Sequence, residues 1–585
     1  MIAALALVSA LARADVAIPD PILAALAPEL DRNLANLVLP GQPRPYYLAF
    51  SVIEARQYDV AARWGDLVQD EATRNTYLHA RIRVGDRILD NTNFVGYGWG
   101  GGGSARLTVG DGTGPVVRDA WLAADAAYKQ AIATLAAKQA ALKRERPEER
   151  APDFSVATPA DHWEAPAELP EADQVSLAAS ARAMSAAFRD FPALQRAEIR
   201  IGARTNTCRL LDSEHFRSRL VTRAVRVLAV AEVQAQDGTP LRDVWSVMAP
   251  AVGQLPDRAA LVAAARSMAA RLTRRVTAEE LTDPYLGPIL FSPVAAAEFV
   301  RQTFAADVSG TPTPVVAEDY YKSTVKGGML GKFLGVRVLP AWMDLTDDPG
   351  LAAWEGTPLL GSYTVDREGV AARRVDLARN GMLLSFLMSR TPSKKIHESN
   401  GHGRIVAGAM CRAAPSNLVL TAQRGESWEG LVKQVRRAAK EEGLAFALIV
   451  RHLDEPPAGE GGPRRINVGT GEEDPEEAPS RWAIGAALDI VKVDVRTGAE
   501  TPLRSALFGP IGLAEVRSLA AAGRDTAVYS YLLAPDSVDY SQGFAEDTTV
   551  SIVAPALLFP QLEVRPCARK RLPPPYLPSP LFTRP

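Results

Sequence analysis

Apolar positions follow two different periods along this chain. Helical spacing occurs at Leu177, Ala181, Met184 and Phe188, and again at Leu261, Ala265, Met268 and Leu272. Recurrence at three and four residues puts each set on one helix face. Residues 118–146 read as a long helix in which Trp121, Tyr128, Leu135 and Leu142 recur every seven residues, with Ala124, Ala131 and Lys138 between them. That narrow stripe packs on its own domain or, on a second reading, faces a partner. A short helix is expected over 21–37. Runs at 46–52, 77–84, 198–205 and 217–236 predict strands of a mixed sheet, the last of them turned by Asp237-Gly238.

Beyond about residue 283 the pattern becomes strand-rich, and helices are expected only over 292–306 and 428–442. Thr282-Asp283-Pro284-Tyr285 marks the change. The fold class read from this is α+β with two domains. A mixed N-terminal domain covers 15–282 and a strand-rich C-terminal domain covers 283–585, a division that the 585-residue length accommodates. Charged and Pro-rich residues predict exposed loops over 143–170 and 454–480. A third loop is expected over 96–114. Gly96, Gly98 and Gly101 spell G-x-G-x-x-G there, but a dinucleotide site needs a helix to open at that point, and Leu107-Thr108-Val109 is strand-like.

Composition narrows the function classes. With 66 basic and 68 acidic residues the formal charge is −2, so no field draws the chain to nucleic acid. The pairs Arg274-Arg275 and Arg373-Arg374 read as solvated faces. No run reaches the roughly 18 apolar residues of a membrane-spanning helix. Met1 to Ala12 is uncharged and mostly apolar, and Ala12-Arg13-Ala14 places small residues before Asp15. Residues 1–14 therefore read as a signal peptide, and the chain as exported to the periplasm or the medium. It is cytoplasmic if that run is instead a buried N-terminal helix. Cys208, Cys411 and Cys567 are odd in number and far apart, which implies no disulfide framework.

Candidate chemistry concentrates in 361–404. Asp366-Arg367-Glu368-Gly369 makes a turn, and Asn380-Gly381 is a strong hairpin signal within 370–387, ahead of the strand-like run Met382-Leu383-Leu384-Ser385-Phe386-Leu387. The polar run Ser399-Asn400-Gly401-His402-Gly403-Arg404 follows. His397-Glu398-Ser399-Asn400-Gly401-His402 spells H-E-x-x-x-H. However, Ser399-Asn400-Gly401 is a turn sequence, and two histidines five apart share a helix face less well than an i, i+4 pair. The favoured reading is a loop that is structural or touches peptide. Asn400, Gly401, His402 and Arg404 are its candidate peptide-binding residues, because the Asn400 amide both donates and accepts and the Arg404 fork matches a carboxylate. Turn formation alone is the other reading of Asn400 and Gly401. Asp347-Asp348, ahead of Pro349, reads as a turn or cap. No G-x-S-x-G nucleophile elbow occurs.

The order D-x-E-G-V, N-G, then S-N-G-H-x-R resembles the C-terminal domain of the TldD/PmbA family over about 284–564, and more weakly the N-terminal half. Peptidase members of that family carry H-E-x-x-x-H on a helix ahead of the hairpin, with two zinc-binding histidines and a glutamate that activates water. Gly287-Pro288-Ile289-Leu290-Phe291 is similar to the strand that leads into that helix. Here the helix reads Ser292-Pro293-Val294-Ala295-Ala296-Ala297-Glu298-Phe299, and no histidine occurs between His215 and His397. Ser292 and Pro293 suit a helix start, and Glu298 reads as a solvated first-turn residue. The family's cysteine ligand sits in G-x-C-G, which Arg565-Pro566-Cys567-Ala568-Arg569 does not match. The resemblance implies a PmbA/TldE-like subunit with no catalytic residue, metal or cofactor of its own. It would bind unfolded peptide beside a zinc-bearing TldD-type homolog, as a homo- or hetero-oligomer. The alternatives are a stand-alone exported peptide-binding protein, or an active metallopeptidase using His397, Glu398 and His402.

Overall fold

The computed structural model describes residues 18–96, 103–107, 113–145, 149–324, 328–407, 410–454, 464–466, 481–533 and 548–566, with 571, 573 and 575. The first half is built on one long sheet, antiparallel except for the short strand His162–Trp163, which runs parallel to Arg217–Gln234. Its centre is the hairpin of Pro45–Arg63 and Asp66–Val84, followed outward by Arg196–Asp212, Arg217–Gln234 and Pro240–Ala249 on one side and by Gly103–Leu107 on the other. These strands run well past the apolar stretches that predict them. The extension holds because alternate positions stay covered even where the sequence turns polar. Leu48, Phe50 and Val52 lie under the helices Pro21–Asn36 and Gly114–Glu145, and Tyr58, Val60 and Ala62 lie under Glu171–Ala186 and Arg258–Arg275. All four helices therefore share one face. The opposite face presents Ile53, Cys208 and Leu210 to Phe216 and Val365, and Tyr47 and Ala49 to Phe154.

The long helix departs from its predicted stripe. Tyr128, Leu135, Ala124, Ala131 and Lys138 are buried as expected, but Trp121 is 46% exposed. Contact runs instead through Ala120, Ala123 and Ala127, small residues that let the helix come close to the sheet. The approach is close enough that a Cβ on Gly103 would sit 1.7 Å from the Ala123 carbonyl oxygen. Gly103–Leu107 is consequently an edge strand rather than part of a loop. Lys138 reaches the Asp153 carboxylate at 2.6 Å, so the predicted exposed loop after this helix is anchored there by a buried aspartate.

The second half begins its own sheet at Tyr285–Phe291. That strand pairs in parallel with Phe446–Leu453 and antiparallel with Thr548–Pro566. Through Ala487–Asp494 and Ala506–Phe508 the pairing returns on itself and closes a ring of five strands. From Thr548–Pro566 the sheet continues through Asn417–Ala422, Met343–Asp347 and Val375–Arg379 to Met382–Leu383. Phe291, Phe299 and Phe559 pack edge-to-face or tilted against one another with ring centroids 5.3 to 5.8 Å apart. Phe299 brings the helix Pro293–Gln302 onto the ring. Trp428–Glu441 covers a second patch with Leu431, Val435 and Ala439. The predicted loop over 454–480 lies outside the described residues, except for Asp454 and the strand Arg464–Ile466. No helix among the described residues is long and apolar enough to cross a membrane.

Candidate functional site

The segment 361–404 folds by local chemistry first. Asp366 Oδ1 accepts the backbone N–H groups of Glu368 and Val370, both at 2.9 Å, which fixes the turn. Its Oδ2 accepts the N–H of Gly403 at 2.9 Å and so ties the turn to the later loop. Burial raises the Asp366 carboxyl to about 7, the nearby Glu368 charge adds to this, and the backbone donors oppose it. Glu368 Oε2 in turn accepts the N–H of Arg390 at 2.6 Å. The hairpin turn has the left-handed pair its sequence calls for, Asn380 at φ 48° and Gly381 at φ 74°. Only Met382–Leu383 continues as strand, although the sequence predicts strand as far as Leu387. Leu387 donates instead to Val308, and the groups flanking it are taken by a side chain from the loop that follows.

That side chain is Asn400. Its amide nitrogen donates to Phe386 O at 2.8 Å, and its Oδ1 accepts from Met388 N at 2.7 Å. Gly401 sits at φ 79°, where a Cβ would lie 2.3 Å from Ala371 O, and its carbonyl accepts from the Tyr363 hydroxyl at 2.7 Å. His402 is fully buried, with Nδ1 3.0 Å from Asn400 Oδ1 and Nε2 3.0 Å from Asp347 Oδ1. Arg404 donates to Pro415 O and Thr549 O and stacks over Tyr363 at 4.7 Å. The four candidate residues thus come together, and the polar contacts of their side chains run inward to the protein's own groups. Asp347 is not a turn residue. It ends the strand Met343–Asp347 with no exposure and also accepts the N–H of Ser416 at 2.9 Å. Asp348 does make a turn, accepting from Gly350 N. His397 and Glu398 are exposed, so the H-E-x-x-x-H spelling unites an exposed histidine with a buried one whose nitrogens have internal partners.

A second polar group has no counterpart in the sequence reading. Glu298, expected to be solvated, is 2% exposed, and its Oε1 lies 2.6 Å from His452 Nδ1. Its Oε2 accepts the N–H of Leu453 at 2.7 Å. His452 Nε2 lies 2.8 Å from Val244 O, on the edge strand of the first sheet. Burial works against the charged imidazole, but Glu298 and Asp243 outweigh it and raise His452 to about 9. Arg271 bridges Asp243 and Asp489. Arg275, expected on a solvated face, is 3% exposed and donates to Arg242 O and Arg504 O. The available signal was a lone histidine in the apolar run Phe446–Leu453 and a lone glutamate after three alanines. Isolated ionisable groups in buried segments pair with each other.

The family model of the PmbA/TldA metallopeptidase C-terminal domain matches residues 285–444, which contain the Ser292 helix, the hairpin and the Asn400 loop. Over that segment the chain is similar to the TldD/PmbA family. Three solved structures share its fold. TldE from Thermococcus kodakarensis is 13% identical with a TM-score of 0.56, covering 89% of this chain and 97% of that one. A candidate modulator of DNA gyrase from Thermotoga maritima is 14% identical with a TM-score of 0.55, over 88% of this chain and 96% of that one. Another candidate modulator of DNA gyrase, from Bacteroides thetaiotaomicron, is 12% identical with a TM-score of 0.57, over 93% and 98% respectively. No curated protein matches the chain by sequence.

The zinc of the family's peptidases does not fit the residues at the corresponding helix. Ser292 Oγ caps that helix, accepting from Ala295 N and donating to Arg451 O. Ala295, Ala296 and Ala297 are fully buried and offer no lone pair. Among the described residues, no three histidine, cysteine, aspartate or glutamate side chains are grouped to hold a metal ion. Cys567 lies outside the described residues.

Proposed function

We propose that this chain is a TldD/PmbA-type subunit that holds unfolded peptide and leaves hydrolysis to a zinc-bearing homolog. The observation that carries the reading is the Ser292 helix, where capping serine and buried alanines replace ligands and base. A chain without these groups cannot lower the pKa of a bound water or take its proton. The candidate residues Asn400, Gly401, His402 and Arg404 serve the peptide site by fixing backbone. The Asn400 amide holds Phe386 and Met388 in an extended path, and the outer side of Met382–Leu383 is already paired with Gly335 and Val336. Peptide therefore lies beside the loop rather than as a further strand of the hairpin. Export follows from the apolar N-terminal run and its small-residue site.

Affinity purification from the native cell, with partner identification and elemental analysis, tests this reading. A zinc-bearing homolog should co-purify, and only the pair should cleave unfolded peptide. About one zinc per isolated chain, or hydrolysis by the isolated chain, overturns the proposal. Asn400→Ala tests the loop: peptide binding should weaken in a protein that keeps its circular-dichroism spectrum and its partner. Unchanged binding removes the loop from the site.

A further inference from the structure

The geometry points to a charge clasp between the two halves of the chain. In it, the imidazolium of His452 joins the edge strand Pro240–Ala249 of the first sheet to the helix Pro293–Gln302 of the second, and loss of its proton loosens that junction. The inference goes beyond peptide holding and does not depend on it.

His452 stands near the end of Phe446–Leu453, where pairing with Ala487–Asp494 slips on both sides of it. Both of its ring nitrogens face acceptors, Glu298 Oε1 at 2.6 Å and Val244 O at 2.8 Å. A neutral imidazole has one N–H and can satisfy only one of them, whereas the cation satisfies both. At 2.6 Å the Glu298 contact is an ion pair once the ring is protonated. The surrounding groups make the same demand. The edge strand contributes Asp243, which is fully buried, and Arg242, which pairs with Asp454. The helix Arg258–Arg275 contributes Arg271 and Arg275, and Ala487–Asp494 contributes Asp489. On the remaining elements, Arg301 is engaged by Tyr529 and Arg451 by Glu500. Glu298, Asp243, Asp489 and Asp454 thus face Arg242, Arg271 and Arg275. One negative charge is left over until His452 is protonated.

The sign follows from the direction of the shift. His452 is raised from 6.5 to about 9, so its contribution is fully present below about 6.5 and is lost as pH rises through about 9. The pairing of Ile199 to Ala203 with its two neighbouring strands in the first sheet contains no histidine and should not respond.

Hydrogen exchange of the full chain from pH 6.5 to 10, corrected for intrinsic rates, tests the clasp. The protection of Val244 and Leu453, whose N–H groups bond to the Asp243 and Glu298 carboxylates, should fall at least tenfold around pH 9. Protection at Ile199 to Ala203, in the middle of the first sheet, should stay constant. His452→Gln should abolish the step, and Glu298→Gln should move it to lower pH. Equal loss at both places, no loss at either, or an unchanged step in His452→Gln overturns the proposal. Should His452→Gln fail to fold, the wild-type profile decides by itself.

Discussion

His402 Nε2 and Asp347 Oδ1 lie 3.0 Å apart across 55 residues of chain, and neither side chain is exposed. The same aspartate receives the N–H and the hydroxyl of Ser416. One carboxylate therefore fixes the end of its own strand, the Ser416 turn and the imidazole that begins the loop's return. A histidine that reads like half of a metal motif is in the structure a buried cross-link.

Asp347→Ala leaves three donors without an acceptor. A buried donor left without its acceptor costs about 1–3 kcal/mol, so a loss of at least that size is expected in denaturant unfolding. His397→Ala touches only the surface and should change stability by less than about 0.5 kcal/mol. Similar losses for the two variants would show that the motif works as a unit after all.

Gly401 and Gly403 resist side chains for different reasons. Gly401 lies at φ 79° with Ala371 O 2.3 Å from a Cβ position. Gly403 would push its Cβ to 2.7 Å from Glu368 Oε2 and 3.1 Å from Asp366 Oδ2. Gly401→Ala combines backbone strain of about 1–3 kcal/mol with a backbone clash and should be the more damaging. Gly403→Ala meets side-chain carboxylates that can shift, so a smaller drop in Tm is expected. The reverse order would mean that the Asp366–Glu368 pair is more rigid than the Ala371 backbone.

Asp366 gives the fold a pH dependence. Its carboxyl is raised from 3.8 to about 7 by burial and by Glu368. Between these values the folded state holds more protons than the unfolded one, so this group's contribution to stability declines as pH rises from about 4 to 7. Glu368→Gln removes the like charge while keeping an acceptor for Arg390 N, and should move the decline to lower pH. Urea unfolding measured across this range checks both, and a profile unaltered by Glu368→Gln would assign the titration to another group.

Processing at the N-terminus should leave the fold intact. Asp20 caps the first helix through Ile22 and Leu23 and binds Arg209 and Arg219 at 2.9 and 3.0 Å. Cleavage after Ala14 keeps this anchor. N-terminal sequencing of the native protein should begin at Asp15, and a chain that retains Met1 would argue against export.

What the sequence determined by itself is what neighbouring residues decide between them. The Asn380-Gly381 turn, the Asp366 turn, the Ser292 helix cap and the apolar stripes at Leu177 and Leu261 all stand where the sequence puts them. Each rests on backbone preference or on contacts within one or two turns of chain. Tertiary structure alone decided the fate of the ionisable groups. Asp347 and Arg275 carry no local mark of burial, and the local marks on Glu298, Lys138 and His452 name no partner, because the cost of desolvating each is offset by a group elsewhere in the chain. Glu298 receives a bond from Leu453, 155 residues on, and Asp347 receives His402 from 55 residues away. A charged side chain is stable in water or beside its counter-charge, and only the folded chain determines which of the two it meets.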